Sequence, residues 1–94
     1  MSSEAKIHLN ITISGQVQGV GFRYSARNIA ISIGITGIIK NLVNGDVYTE
    51  AEGTKAQLEQ FIAWCYRGPS YAVVDEVIVE ESSMNNYQYF EIIR

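Results

Sequence analysis

An α+β sandwich, with two helices laid on one face of an antiparallel sheet, is the architecture this sequence predicts. Three observations carry it. Residues 7–14 alternate strictly between apolar and polar side chains, the signature of a half-buried strand. Two later segments, beginning at Phe22 and at Leu58, repeat apolar residues at helical spacing. Between them, Asn44-Gly45 separates two apolar runs, the strongest short-range signal for a β-hairpin.

The elements follow in order. In the first strand Ile7, Leu9, Ile11 and Ile13 share one face, and His8, Asn10, Thr12 and Ser14 the other. A glycine-rich segment, residues 15–21, leads into a helix with Phe22, Ala26, Ile29, Ala30 and Ile33 on its apolar stripe and Gly34 just past its end. Residues 35–43 and 47–51 read as the antiparallel arms of the hairpin. Thr54 and Gln57 have the spacing of a capping box, opening a second helix that buries Leu58, Phe61, Ile62 and Cys65. Gly68-Pro69 stops it. Residues 72–81 are expected as a strand with Val73, Val77 and Val79 on one side. A polar turn, 82–86, and a last extended segment, 87–93, complete the chain. The order βαββαβ with one added terminal strand is that of the ferredoxin-like sandwich. Handedness asks for right-handed helical connections, expected between the first and third strands and between the second and fourth.

Composition bounds the rest. Ninety-four residues, 47% hydrophobic and 18% charged, suit one folded domain, 1–94, with an ordered core over about 7–94. The lone Cys65 excludes an intramolecular disulfide and any cysteine-based zinc site, because both need partners. The polar opening residues carry no apolar run of the secretory kind, and the uncharged stretch 29–39 is far shorter than the ~20 residues that cross a bilayer. A soluble, cytoplasmic protein without a membrane partner is expected. Seven Lys and Arg against ten Asp and Glu give a net charge of −3, with the basic residues scattered. That argues against nucleic acid, whose binders concentrate positive charge. Tyr48, Tyr87 and Tyr89 raise the idea of base stacking on an open sheet, but the strands offer Glu50 and Glu52 where an RNA-binding face is basic. A small anionic substrate stays open, since a local pocket can be positive on a negative molecule.

One segment carries chemistry: Gly15-Gln16-Val17-Gln18-Gly19-Val20-Gly21-Phe22-Arg23, between the first strand and the first helix. Glycines at this density let backbone amides turn inward into a concave anion site, and the helix adds its positive end. Arg23, in the first helical turn, can fork onto the same anion. The segment is neither a Walker A, for want of a lysine after Gly21, nor a dinucleotide fingerprint, since Tyr24 stands where a third small residue is needed. On glycine placement alone, ordinary turn chemistry is an equally good reading.

The pattern Gly15-x-Val17-Gln18-Gly19-Val20-x-Phe22-Arg23 resembles the first signature of the acylphosphatase family. Gly37-Ile38-Ile39-Lys40-Asn41, followed by Gly45-x-Val47 and Gly53, resembles the second. Two positions depart: Ile38 stands where the family usually has an aromatic residue, and Ile39 where it prefers a smaller one. The resemblance implies a metal-free, cofactor-free hydrolase that cleaves acyl phosphates to carboxylate and inorganic phosphate. It places the phosphate, or a sulfate in its stead, on Gln16, Val17, Gln18, Gly19, Val20, Gly21, Phe22 and Arg23. It makes Arg23 and Asn41 catalytic, the latter orienting water for in-line attack. A catalytically weak module that binds phosphate or carbamoyl phosphate is the alternative. A monomer is expected, as a charged surface on a small domain needs no partner.

The remaining conspicuous residues read more plainly. His8 is expected at the surface, since no partner for a general base suggests itself. Cys65 is expected as a buried thiol on the apolar face of the second helix. Asp75-Glu76 and Glu80-Glu81 read as a solvated edge that discourages strand-to-strand association.

Overall fold

The structure, a computed structural model, describes residues 5–94. The first four residues of the polar opening, and with them the start of the expected domain, lie outside the described residues. The elements are β1 (Lys6–Gln16), α1 (Phe22–Ile33), β2 (Thr36–Asn41), β3 (Val47–Thr54), α2 (Lys55–Arg67), β4 (Val73–Ser82) and β5 (Phe90–Ile92). They form a five-stranded sheet in the order β4-β1-β3-β2-β5. Four strands are antiparallel to their neighbours, and β5 adds to β2 in parallel, so the sheet is mixed rather than purely antiparallel.

The helices join β1 to β2 and β3 to β4. This corrects the expected connections between first and third and between second and fourth strands. β1 and β3 are direct antiparallel neighbours, with Leu9 opposite Ala51, whereas a helical crossover links parallel strands.

Alternation along β1 decides where the core sits. Ile11 and Ile13 are fully buried together with Ile39, Val47 and Ala51 from the neighbouring strands, and the helices close over them with Phe22, Ala26, Ala30, Leu58, Phe61 and Cys65. Each large side chain so buried contributes about 1.5–3 kcal/mol relative to exposure. Phe22 meets Trp64 edge-on at 5.2 Å, and Phe61 meets Phe90 at 5.9 Å, tying both helices and β5 into one core. Cys65 is buried as expected, and burial pushes its thiol up to about 12. α2 opens with the full capping box, Gln57 N donating to Thr54 Oγ1 at 3.2 Å and Thr54 N to Gln57 Oε1 at 2.9 Å.

Three local expectations change. The hairpin loop is longer than the three residues, 44–46, that the expected arms leave between them. β2 ends at Asn41 because Gly45 N turns back to donate to Leu42 O at 3.1 Å, leaving Val43 in solvent. In β4 the register shifts opposite Ser14 and Gly15, so Glu76 and Val74 take consecutive partners and Asp75 is skipped. That bulge moves Val74 onto the core beside Val77, while Val73 and Val79 are exposed, against the expected trio of Val73, Val77 and Val79. The acidic pairs of β4 do lie exposed on the edge strand.

The third change is the largest. β4 and β5 occupy opposite edges of the sheet, so residues 83–89 must cross the open face, roughly 19 Å at ordinary strand spacing. Only Phe90–Ile92 of the expected extended segment is strand. The strap is held by carboxylates of β3. Glu52 accepts Asn85 N at 2.6 Å, Tyr87 N at 2.9 Å and His8 Nδ1 at 2.7 Å. His8 is therefore not a surface residue: it is 2% exposed, pinned between Glu52 and Asn10 Oδ1, which accepts from Nε2 at 2.8 Å, with the Tyr87 ring stacked alongside. With an oxygen acceptor beside each ring nitrogen, these surroundings favour the doubly protonated ring. Burial pushes the His8 pKa down, but the hydrogen bonds to Glu52 and Asn10 and the charges of Glu52 and Glu50 outweigh it, and the net direction is up. Glu52 and Glu50 move the other way. Burial opposes their ionisation, yet for Glu52 the donors from His8 and the strap prevail, and for Glu50 those from Tyr87 and Tyr48, so both titrate below the usual carboxylate range. The tyrosines thus serve this network, Tyr48 and Tyr87 each donating to Glu50.

Candidate active site

Residues 17–21 leave β1 and enter α1 over one end of the sheet. Val17 and Phe22, 1% and 2% exposed, anchor the segment at both ends in the core. Between them Gly19 and Gly21 adopt φ of 76° and 78°, a left-handed conformation that side chains resist and that can turn neighbouring backbone amides toward one point. Gln16 stands just outside, as the last residue of β1 opposite Val73.

The start of α1 differs from that of α2 in a way that matters. Gly21 is its N-cap, no side chain caps it, and no acidic residue lies in its first turn. The first N–H groups of a helix need partners from elsewhere, and the aligned peptide dipoles favour negative charge there. Where α2 answers this need internally with Thr54 and Gln57, no side chain of the described residues caps α1.

Gln18 fixes the loop in place. Its Nε2 donates to Leu42 O at 2.8 Å and to Asp46 O at 2.9 Å, bridging both ends of the β2–β3 loop. The side chain is thus a clip, and only its backbone is left for an anion. Leu42 adjoins Asn41, so the clip also brings the glycine loop beside the end of β2. Asn41 lies opposite Val47, itself opposite Ile13, and shares the helix-facing side of β2 with fully buried Ile39. Its Oδ1 is buried and has no hydrogen-bond partner among the described residues. Buried acceptors are almost always satisfied, so an orphan at this position marks a place where a donor is expected to arrive.

Arg23, the second residue of α1, is half-buried. The ion pairs among the described residues all belong to His8, so no carboxylate of those residues pairs with the Arg23 guanidinium. The loop amides, the Arg23 guanidinium and the Asn41 carboxamide are the groups at this end of the sheet with the chemistry to take up a tetrahedral anion and a water. Among the described residues no group of three or more His, Cys, Asp or Glu is placed to hold a metal ion.

The family model for acylphosphatase matches residues 9–92. The chain belongs to the acylphosphatase family. It is 46% identical over 88 residues to the acylphosphatase of Acaryochloris marina, covering 94% of this chain and 95% of that one. It is 44% identical over 86 residues to the acylphosphatase of Archaeoglobus fulgidus, covering 92% and 97%. Among solved structures, an acylphosphatase from Coxiella burnetii superposes with a TM-score of 0.91 at 36% identity, over 94% of this chain and 93% of that one. The ferredoxin-like sandwich expected from the sequence is the fold these acylphosphatases share with it.

The two departures from the acylphosphatase pattern find places that leave the loop untouched. Ile39 fills the core at 0% exposure, and Ile38 sits half-buried on the opposite face, its carbonyl accepting from Thr49 Oγ1 at 2.7 Å. The Gln18 clip was not legible in the sequence, because its partners are backbone carbonyls 24 and 28 residues away. Arg27 lies four residues beyond Arg23 on the same face of α1.

Proposed function

We propose how this chain carries out the reaction of the acylphosphatase family, hydrolysis of the carboxyl–phosphate bond of small acyl phosphates to carboxylate and inorganic phosphate. The amides of residues 17–22 and the forked guanidinium of Arg23 hold the non-bridging oxygens of the phosphoryl group, and inorganic phosphate or sulfate takes the same place. Asn41 Oδ1 accepts a hydrogen bond from the attacking water and aims its oxygen at phosphorus, opposite the acyl oxygen. The new O–P bond forms as the acyl P–O bond breaks, and the electron pair leaves with the carboxylate. A neutral amide cannot take a full proton, so the water proton passes to a phosphoryl oxygen. A carboxylate is a good leaving group, so positioning and charge stabilisation carry the catalysis without a metal or cofactor.

The observation that carries this reading is the buried, unpartnered Oδ1 of Asn41 at the end of the strand to which Gln18 ties the phosphate loop. Close matching of nearly the whole chain to proteins named acylphosphatase favours an enzyme over the weak binding module. Among the described residues no helix is long and apolar enough to cross a membrane, and the opening residues are polar. We infer in addition a monomeric enzyme of the cytoplasm. Turnover of benzoyl phosphate by the purified chain tests the proposal: hydrolysis should persist in excess chelator and be competitively inhibited by inorganic phosphate. Activity that vanishes with chelator and returns with magnesium would overturn it.

A further inference from the structure

Beside Arg23 the surface opens into a cavity of about 450 Å³ lined by Arg23, Tyr24, Arg27, Glu91, Ile92 and Arg94. β5 contributes Glu91 and Ile92 to its lining, and the first two turns of α1 contribute Arg23, Tyr24 and Arg27. Three guanidinium groups face one carboxylate side chain there, on a chain whose net charge is −3. None of the three lies within ion-pair distance of a carboxylate of the described residues, whose ion pairs involve His8 alone. Positive charge concentrated without internal partners on an acidic protein attracts anions to that spot.

The phosphoryl group already has a place, at the glycine loop and Arg23. The cavity extends from that place along α1, so what enters it is the part of the substrate beyond the scissile bond. Arg27 stands one helical turn past Arg23, on the order of 6 Å further along the axis. An extended four-carbon acyl chain places its distal carbon at about this reach from phosphorus.

We propose that this cavity receives the acyl portion of the substrate and that Arg27 there selects carboxyacyl phosphates, those whose acyl chain ends in a second carboxylate. The inference rests on the reading of the active site given above. Arg27 contacts the distal carboxylate, not the phosphoryl group, and so sets specificity rather than the chemical step. A planar guanidinium pairs a carboxylate through two parallel N–H bonds, a geometry that lysine does not reproduce.

Succinyl phosphate and butyryl phosphate have four-carbon acyl chains and differ in the distal carboxylate. The ratio of their kcat/KM values, succinyl over butyryl, should exceed one in the parent protein at low salt. In Arg27→Gln that ratio should fall about tenfold, the scale of one charge-assisted bond partly screened by solvent, and Arg27→Lys should recover part of it. Arg27 is exposed on its helix, so both variants should fold. A ratio unmoved by Arg27→Gln, or a parent that prefers butyryl phosphate, overturns the assignment of Arg27. Failure of the parent to hydrolyse butyryl phosphate at all overturns instead the active-site reading. Even then a carboxyalkyl phosphonate should raise the melting temperature more than an alkyl phosphonate of equal length, and equal shifts would remove Arg27 from ligand selection.

Discussion

Replacing Asn41 by alanine separates chemistry from architecture. The carboxamide presents a buried acceptor without a partner, a group whose desolvation costs about 1–3 kcal/mol. Truncation removes that penalty but leaves a small void beside the core, a loss of similar size. The two nearly cancel, and stability should change by less than about 1 kcal/mol, a melting shift below roughly 8 °C for a chain of this length. Catalysis has no such compensation. Losing one positioned group at the reacting water should lower kcat on the order of 10²–10³-fold. Affinity for inorganic phosphate, held by the loop and Arg23, should stay within about twofold, well under the tenfold that 1.4 kcal/mol represents. Steady-state kinetics on benzoyl phosphate, calorimetric titration of phosphate and thermal melting on one sample of Asn41→Ala give all three numbers. A well-folded variant with parental kcat would refute the reasoning. So would a large drop in melting temperature with kcat preserved, which would make Asn41 a hairpin residue and nothing more.

Arg23→Gln should raise KM and lower kcat together, costing on the order of 10²-fold or more in kcat/KM, and Arg23→Lys should restore only part, because it keeps charge but loses the fork. Gln18→Ala should leave the fold intact and lower kcat, as the loop loses both hydrogen bonds to the β2–β3 loop; unchanged kinetics would show that the clip is dispensable. The His8–Glu52 network predicts a stability maximum. The His8 pKa is raised above 6.5 on folding, so its contribution is complete below 6.5 and is lost as pH rises through the raised value. Glu50 and Glu52 are lowered from 4.5, so theirs is complete above 4.5 and is lost as pH falls through the lowered values. Urea melts should therefore be most stable between about pH 4.5 and 6.5. The decline above that window should disappear in His8→Gln.

What the sequence made legible was local. Strict alternation in residues 7–14, the Thr54–Gln57 capping spacing and Asn44-Gly45 each fix a structure within a few residues of themselves, and each appears in the fold. The glycine loop and Arg23 were legible for the same reason. What stayed hidden depends on contacts across long stretches of chain. His8 read as a surface residue because its partner Glu52 lies 44 positions away and the strap that covers both lies further still. The bulge at Asp75 leaves no mark in a run of valines and acids, since either register presents apolar side chains. Asn41 was singled out by resemblance alone. Its decisive property, an acceptor with nothing to accept, exists only once strands and loop are assembled.

The far-edge position of β5 has a consequence for how the protein comes into being. A nascent chain emerges from the ribosome from its N-terminus, and segments fold as they clear the tunnel. The phosphate loop, α1 and Asn41 are all synthesised within the first half of the chain. Yet β2 remains an unpaired edge, and the cavity beside Arg23 lacks the wall bearing Glu91 and Ile92, until residues 90–92 have passed over the whole sheet. Translation that stalls within the strap would leave a chain with its phosphate loop translated and its active end unfinished. Its bare β2 edge would be open to pairing with another such chain.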